Sequence, residues 1–154
     1  MKNVLVICLM ICLLHGCLTN TQDGAKRLDH LKQEALLSYE MDDYKATIEI
    51  LDRLTILDTI PKGEYFFMRG YSKAQLFDFE GSTEDYLKSI ELGYRLKDTY
   101  HNLSLNSRSQ FNDTLALQYI NNALSIDSLD TELLKLKKEI LTGDSLTRML
   151  NELL

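Results

Sequence analysis

Few side chains in this sequence are spaced for chemistry. His30 and Glu34 stand four residues apart, which puts both on one face of a helix at a separation a metal ion can bridge. No second His or Cys lies nearby, so the pair reads as a solvated surface contact. His101 stands alone beside Asn102. The acid pairs Asp42-Asp43 and Glu84-Asp85 fall where helices are expected to start, and carboxylates there favour the helix dipole without any catalytic role. There is no Gly-rich phosphate loop, no GxSxG and no HExxH. The expectation is a protein with no catalytic group, no cofactor and no metal site.

The elements that would position any site are helices. One proline and 7 glycines among 154 residues suit helices better than turn-rich β structure, and hydrophobic residues at 45% can fill a core. A net charge of −6 supplies no basic field for nucleic acid, so DNA and RNA are not expected partners.

The chain divides into three stretches. Lys2 followed by the apolar run Val4 to Leu14 has the pattern of a secretory signal and is shorter than the roughly 20 residues a spanning helix needs. Leu14-His15-Gly16-Cys17 resembles the lipobox of bacterial lipoproteins. That resemblance implies cleavage after residue 16, lipid on Cys17 and a short tether over 17–23. Two or three acyl chains form a stable anchor. Cys8 and Cys12 would leave with the signal, and Cys17 would be the one cysteine that stays. With Leu18 rather than an aspartate after the cysteine, the resemblance points to a chain lipid-anchored in a bacterial envelope, at the outer membrane and facing the periplasm.

Residues 24–154 repeat themselves. Thr47, Ser82 and Ala116 align as small residues at spacings of 35 and 34, with Leu51, Tyr86 and Ile120 bulky four positions later and Leu54, Ser89 and Ala123 three beyond these. Upstream, Ala35, Gly70 and Ser104 align as small residues, preceded by bulky Leu31, Phe66 and Tyr100. Small residues let two helix axes approach while bulky ones fill the groove beside them. This period and size pattern resembles the tetratricopeptide repeat (TPR), two antiparallel helices per unit. The expected fold is all-α: a short right-handed α-solenoid of about three units with C-terminal capping helices. Helices are predicted near 24–40, 43–57, 62–77, 80–93, 97–109, 113–126, 130–142 and 144–153. Pro61 suits a first turn, Asp43 and Asp113 suit N-caps, and Gly93 and Gly143 suit helix ends. Leu133, Leu136 and Ile140 form the apolar face of a cap with a polar back. Leu146, Met149, Leu150, Leu153 and Leu154 would dock on the array or present a helix to a partner.

The TPR resemblance implies that the first helix of each unit lines a concave groove. Counted from Ala35, Gly70 and Ser104, the groove positions are Asp29, Lys32, Leu36 and Tyr39, then Glu64, Phe67, Met68, Tyr71 and Gln75, then Asp98, His101, Leu105 and Arg108. Phe67 and Tyr71 are the expected anchors, because aromatic residues carry much interface energy. Chaperone-binding members hold a C-terminal carboxylate with Lys, Asn and Arg; only Lys32 matches, with Leu36, Met68, Asp98 and Asn102 in the other places, which disfavours a chaperone tail. The resulting expectation is a non-enzymatic module, a monomer or one member of a hetero-complex, that holds a protein or peptide in its groove. The alternatives are an envelope glycan-binding or hydrolytic protein that uses Asp29, Glu64 and Asp98, and a structural spacer.

Overall fold

The computed structural model describes residues 24–60 and 62–153, the last ten by their backbone alone. The lipobox-like segment with Cys17, Pro61, Leu154 and the side chains of Leu146, Met149, Leu150 and Leu153 lie outside the described residues. Helices follow one another as α1 (24–40), α2 (Tyr44–Leu57), α3 (Gly63–Gln75), α4 (Phe79–Glu91), α5 (Leu96–Ser109), α6 (Asp113–Ile126) and α7 (Thr131–Leu153). No strand occurs among the described residues, and none of their helices is long and apolar enough to cross a membrane.

One turn design closes every unit. After α1, α3 and α5 a single residue takes a left-handed conformation: Asp42 at φ 57°, Phe77 at 65° and Phe111 at 58°. The amide of each bonds back three residues and the next amide bonds back five, as in Phe77 to Ala74 at 3.0 Å and Asp78 to Lys73 at 3.0 Å. These two bonds satisfy carbonyls that a helix end leaves open. The following residue caps the second helix: Asp43, Asp78 and Asn112 accept from the amides of Ala46, Gly81 and Leu115 at 3.1, 2.9 and 3.1 Å. In the third unit the cap is Asn112, and the expected cap Asp113 is instead the first helical residue. Gly93, at φ 71°, ends α4 with the same pair of bonds, as its position suggested.

The small-residue register works as a set of helix crossings. A Cβ on Gly70 would sit 3.1 Å from Tyr86 Cδ1, 3.2 Å from Asp85 Cβ and 3.2 Å from the Ser82 carbonyl oxygen, so α3 and α4 meet where only hydrogen fits. Leu31, Ala35, Ile50, Leu51 and Leu54 pack between α1 and α2 and receive Tyr65 and Met68 from α3. Phe67, Tyr86 and Leu103 form the middle of the core. Ala116 and Ile120 of α6 are covered by Leu136 and Ile140 of α7, and Leu133 is buried on the same face of that helix. The capping face read from sequence is therefore the one that seals the stack.

Two capping helices were expected, with a break at Gly143, and α7 instead runs unbroken through it to Leu153. A helical glycine costs about 1 kcal/mol relative to alanine but, unlike proline, removes no hydrogen bond.

An ion-pair cluster ties the first unit to the second. Arg69 on α3 donates from Nε and Nη2 to the two carboxylate oxygens of Asp85 on α4, at 2.9 and 2.5 Å, and from Nη1 to Asp52 on α2 at 2.7 Å. Lys73 Nζ approaches Asp85 at 2.8 Å, so the buried carboxylate faces two cations.

Candidate functional site

With second helices packed behind first helices, α1, α3, α5 and α7 present one row of side chains. Tyr39 on α1 and Tyr71 on α3 meet edge to face, their ring centres 5.5 Å apart, and Tyr71 also meets Tyr44 at 6.2 Å. All three are half-buried, with Leu36 exposed one turn before Tyr39. Burial, followed by the neighbouring Tyr71, pushes the Tyr39 hydroxyl up to about 12. Tyr44 is also pushed up to about 12, chiefly because it donates to Asp42 Oδ1 at 2.8 Å. The groove tyrosines whose ionisation is so shifted are neutral near pH 7 and can donate or accept hydrogen bonds.

Farther along, Arg95 occupies the connection between α4 and α5 in a left-handed conformation with φ 42°. Its guanidinium carbon lies 5.0 Å from the ring centre of Phe67, and its Nε donates to Asp98 Oδ2 at 2.8 Å. The positive charge of Arg95 also acts on the Tyr39 hydroxyl, lowering its pKa against the burial that raises it. His101 and Leu105 of α5 then face Glu132, Lys135, Leu136 and Glu139 of α7 across a cleft of about 230 Å³. Arg108 closes that end with Glu139 at 3.7 Å.

The groove positions counted from sequence divide in two. Leu36, Gln75 and Leu105 are exposed, and Tyr39, Tyr71, His101 and Arg108 are partly accessible. Phe67 and Met68 are not open to a partner, with 5% and 6% of their surfaces accessible. Phe67 packs on Tyr86 and Tyr94 with ring centres 5.8 Å from each, and Met68 belongs to the core of the first unit. The reason is geometric: a first helix touches both its own partner helix and the adjoining unit, so its buried stripe is wider than a single seam. Lys32 is partly accessible and is held at 3.8 Å from Asp29 and 3.3 Å from Asp58.

The acids expected to serve a hydrolytic or sugar-binding site are placed along different helices, with Asp29 beside Lys32 and Asp98 beside Arg95. Glu64, on α3, is half-buried. His30 and Glu34 are both exposed and 3.9 Å apart, at the rim of a cleft of about 590 Å³ floored by Leu28, Leu31 and Leu57. No cluster of three or more His, Cys, Asp or Glu is gathered for a metal among the described residues. Arg95, Tyr94 and Tyr44, together with Lys135 and Glu139 of α7, escaped the helix-face count. The first three lie in or beside turns, where periodicity does not project.

No protein-family model matches this chain, and no curated protein matches it. Solved structures do. The TPR domain of P58(IPK) superposes with a TM-score of 0.74 at 18% identity over 84% of this chain, which spans 36% of that longer domain. The first TPR domain of Spaghetti (RPAP3), bound to HSP90 peptide SRMEEVD, gives 0.69 at 12% identity, covering 78% of this chain and 94% of that one. The type III secretion chaperone SycD of Yersinia enterocolitica, in complex with a peptide of the translocator YopD, gives 0.63 at 12% identity, covering 82% and 95%. The chain has the tetratricopeptide-repeat fold, a right-handed α-solenoid of antiparallel helix pairs.

Proposed function

We propose that this chain is a non-catalytic binding module that holds a peptide or protein partner in its concave groove and is tethered to a bacterial envelope membrane through lipid on Cys17. The observation that carries the binding reading is the row formed by Leu36, Tyr39, Tyr71 and Leu105, accessible apolar and aromatic side chains on successive first helices. Aromatic residues with few rotatable bonds supply large contact areas at low entropic cost. Two structures of the same fold hold peptides, which supports giving a peptide to this groove. Fold alone does not assign a function. The tether rests on the lipobox-like Leu14 to Cys17, and Leu18 in place of an aspartate after the cysteine supports an outer-membrane position facing the periplasm.

The test uses Tyr71→Ala with Leu105→Ser, residues outside the fully buried core, in place of Phe67. Partner capture from envelope extract should be lost in this double variant while helicity and Tm remain close to the parent. Equal capture by both chains would remove the groove reading. Labelling growing cells with an alkyne fatty acid tests the tether separately: the parent should take up label and Cys17→Ser should not. Unlabelled parent chain would sink it.

A further inference from the structure

A second surface runs along the turns within the units and meets the groove at Asp42, which accepts from the groove residue Tyr44 at 2.8 Å. The turns α1–α2, α3–α4 and α5–α6 share one edge of the stack, and at their left-handed positions stand Asp42, Phe77 and Phe111. A bulky side chain at positive φ is a steric outlier, since its Cβ crowds the following carbonyl. Glycine would form the same turn without strain, as Gly93 does in this chain, and Asp42 is a tolerated short polar substitute. Both phenylalanines are also left in water: Phe77 is 80% exposed, with its ring meeting the Phe79 ring edge to face at 6.1 Å, and Phe111 is 96% exposed. The fold gains neither a better turn nor core packing from them. Strained residues held open to solvent concentrate at sites that act on something else.

The surroundings select the partner. The turn segments Glu40–Asp43, Leu76–Glu80 and Gln110–Asp113 contain six carboxylates and no base. The cations flanking these turns are Lys45, exposed at the start of α2, and Lys73 and Arg108, which are paired with Asp85 and Glu139. Carboxylates attract basic side chains, and exposed ring faces bind the same cations through their quadrupoles while offering apolar contact. Anionic lipid headgroups are repelled by the same charges. We infer that this edge docks a basic amphipathic segment of another protein, with Phe77 and Phe111 as its two apolar anchors. At helix spacings of 8–10 Å the two rings stand at most roughly 20 Å apart, a length that a helix of about 14 residues spans.

The full chain and its Phe77→Gly, Phe111→Gly double variant are compared by hydrogen exchange and by titration with an amphipathic Leu/Lys peptide of about 18 residues. A Leu/Glu peptide of equal length and zwitterionic phospholipid vesicles are the control arms. In the parent, the Leu/Lys peptide should slow exchange at the Phe77–Asp78 and Phe111–Asn112 amides, by roughly tenfold. The double variant should bind that peptide at least about tenfold more weakly, while its Tm rises by about 2–4 °C per relieved turn. Gain of stability with loss of binding is an outcome that a purely structural role for these rings does not produce. Equal peptide binding by the two chains, protection confined to α3 and α5, equal binding of the Leu/Glu peptide, turn protection by vesicles alone, or a fall in Tm would each overturn the proposal.

Discussion

The guanidinium of Arg95 lies 5.0 Å above the ring of Phe67, and the pair joins the floor of the groove to the connection between the second and third units. Phe67 is the structural member of the pair. Phe67→Ala removes a buried ring packed against Tyr86 and Tyr94 and should destabilise the chain by about 3–5 kcal/mol, measured by urea unfolding. Arg95→Gly should move stability by less than about 1 kcal/mol, because relief of a left-handed backbone offsets the loss of an exposed cation–ring contact.

The register position shared by Ala35, Gly70 and Ser104 gives opposite outcomes in neighbouring units. Gly70→Ala places a methyl group against the buried Tyr86 ring and the Ser82 carbonyl, neither of which can yield, and should destabilise by about 1–2 kcal/mol despite better helix propensity. Ser104 Oγ is buried without a hydrogen-bond partner, so Ser104→Ala should stabilise by about 1 kcal/mol. Thermal unfolding of the two single variants should show Tm moving in opposite directions.

Asp85 is the hub of the cluster at the boundary between the first and second units. Asp85→Ala takes the carboxylate from Lys73 and leaves Arg69 with Asp52 alone, two cations that keep 19% and 15% of their side-chain surface in water, and should destabilise by about 2–3 kcal/mol. Asp52→Ala removes only an exposed partner of Arg69 and should change stability by less than about 1 kcal/mol. A larger loss from Asp52 than from Asp85 would refute this assignment of the hub.

The carboxyl of Asp58 is almost fully enclosed. Enclosure alone raises its pKa, but hydrogen bonds from Tyr65 Oη at 2.8 Å and the Ile60 amide at 3.3 Å, with Lys32 at 3.3 Å, outweigh it and hold the pKa below its ordinary 3.8. A depressed folded pKa means that Asp58 stabilises the fold fully above the unfolded pKa and loses that contribution as pH falls through the folded value. Urea midpoints measured between pH 6 and about pH 2 should fall more steeply for the parent than for Asp58→Asn.

How far the fold could be read depended on which residues repeat. The small crossing residues, the bulky Leu31, Leu51, Tyr86 and Ile120 four away and the apolar face Leu133, Leu136 and Ile140 recur at helical intervals and are buried, whereas Phe66 and Tyr100 of the same register are half-buried. Phe66 and Phe67 were harder, because neighbours on a helix differ by about 100° and an error of one residue exchanges core for surface. Phe67 is buried, whereas Phe66 is half-buried beneath Arg69, whose guanidinium lies 5.4 Å from its ring. Arg95, Phe77 and Phe111 take their positions from left-handed turns, which no periodicity reports. Gly143 misled because glycine ends a helix only where the chain turns left-handed or loses its next bond, and here the helix continues.

Contacts in this stack run mainly between helices consecutive in the chain, with α3 also reaching α5. Such a ladder conducts poorly. A perturbation in the first unit passes to the next rung or two and fades, so the tyrosines at one end of the groove and the cleft between α5 and α7 at the other can be occupied or altered one at a time. Where a globular core would force its surfaces to evolve together, this architecture lets them diverge.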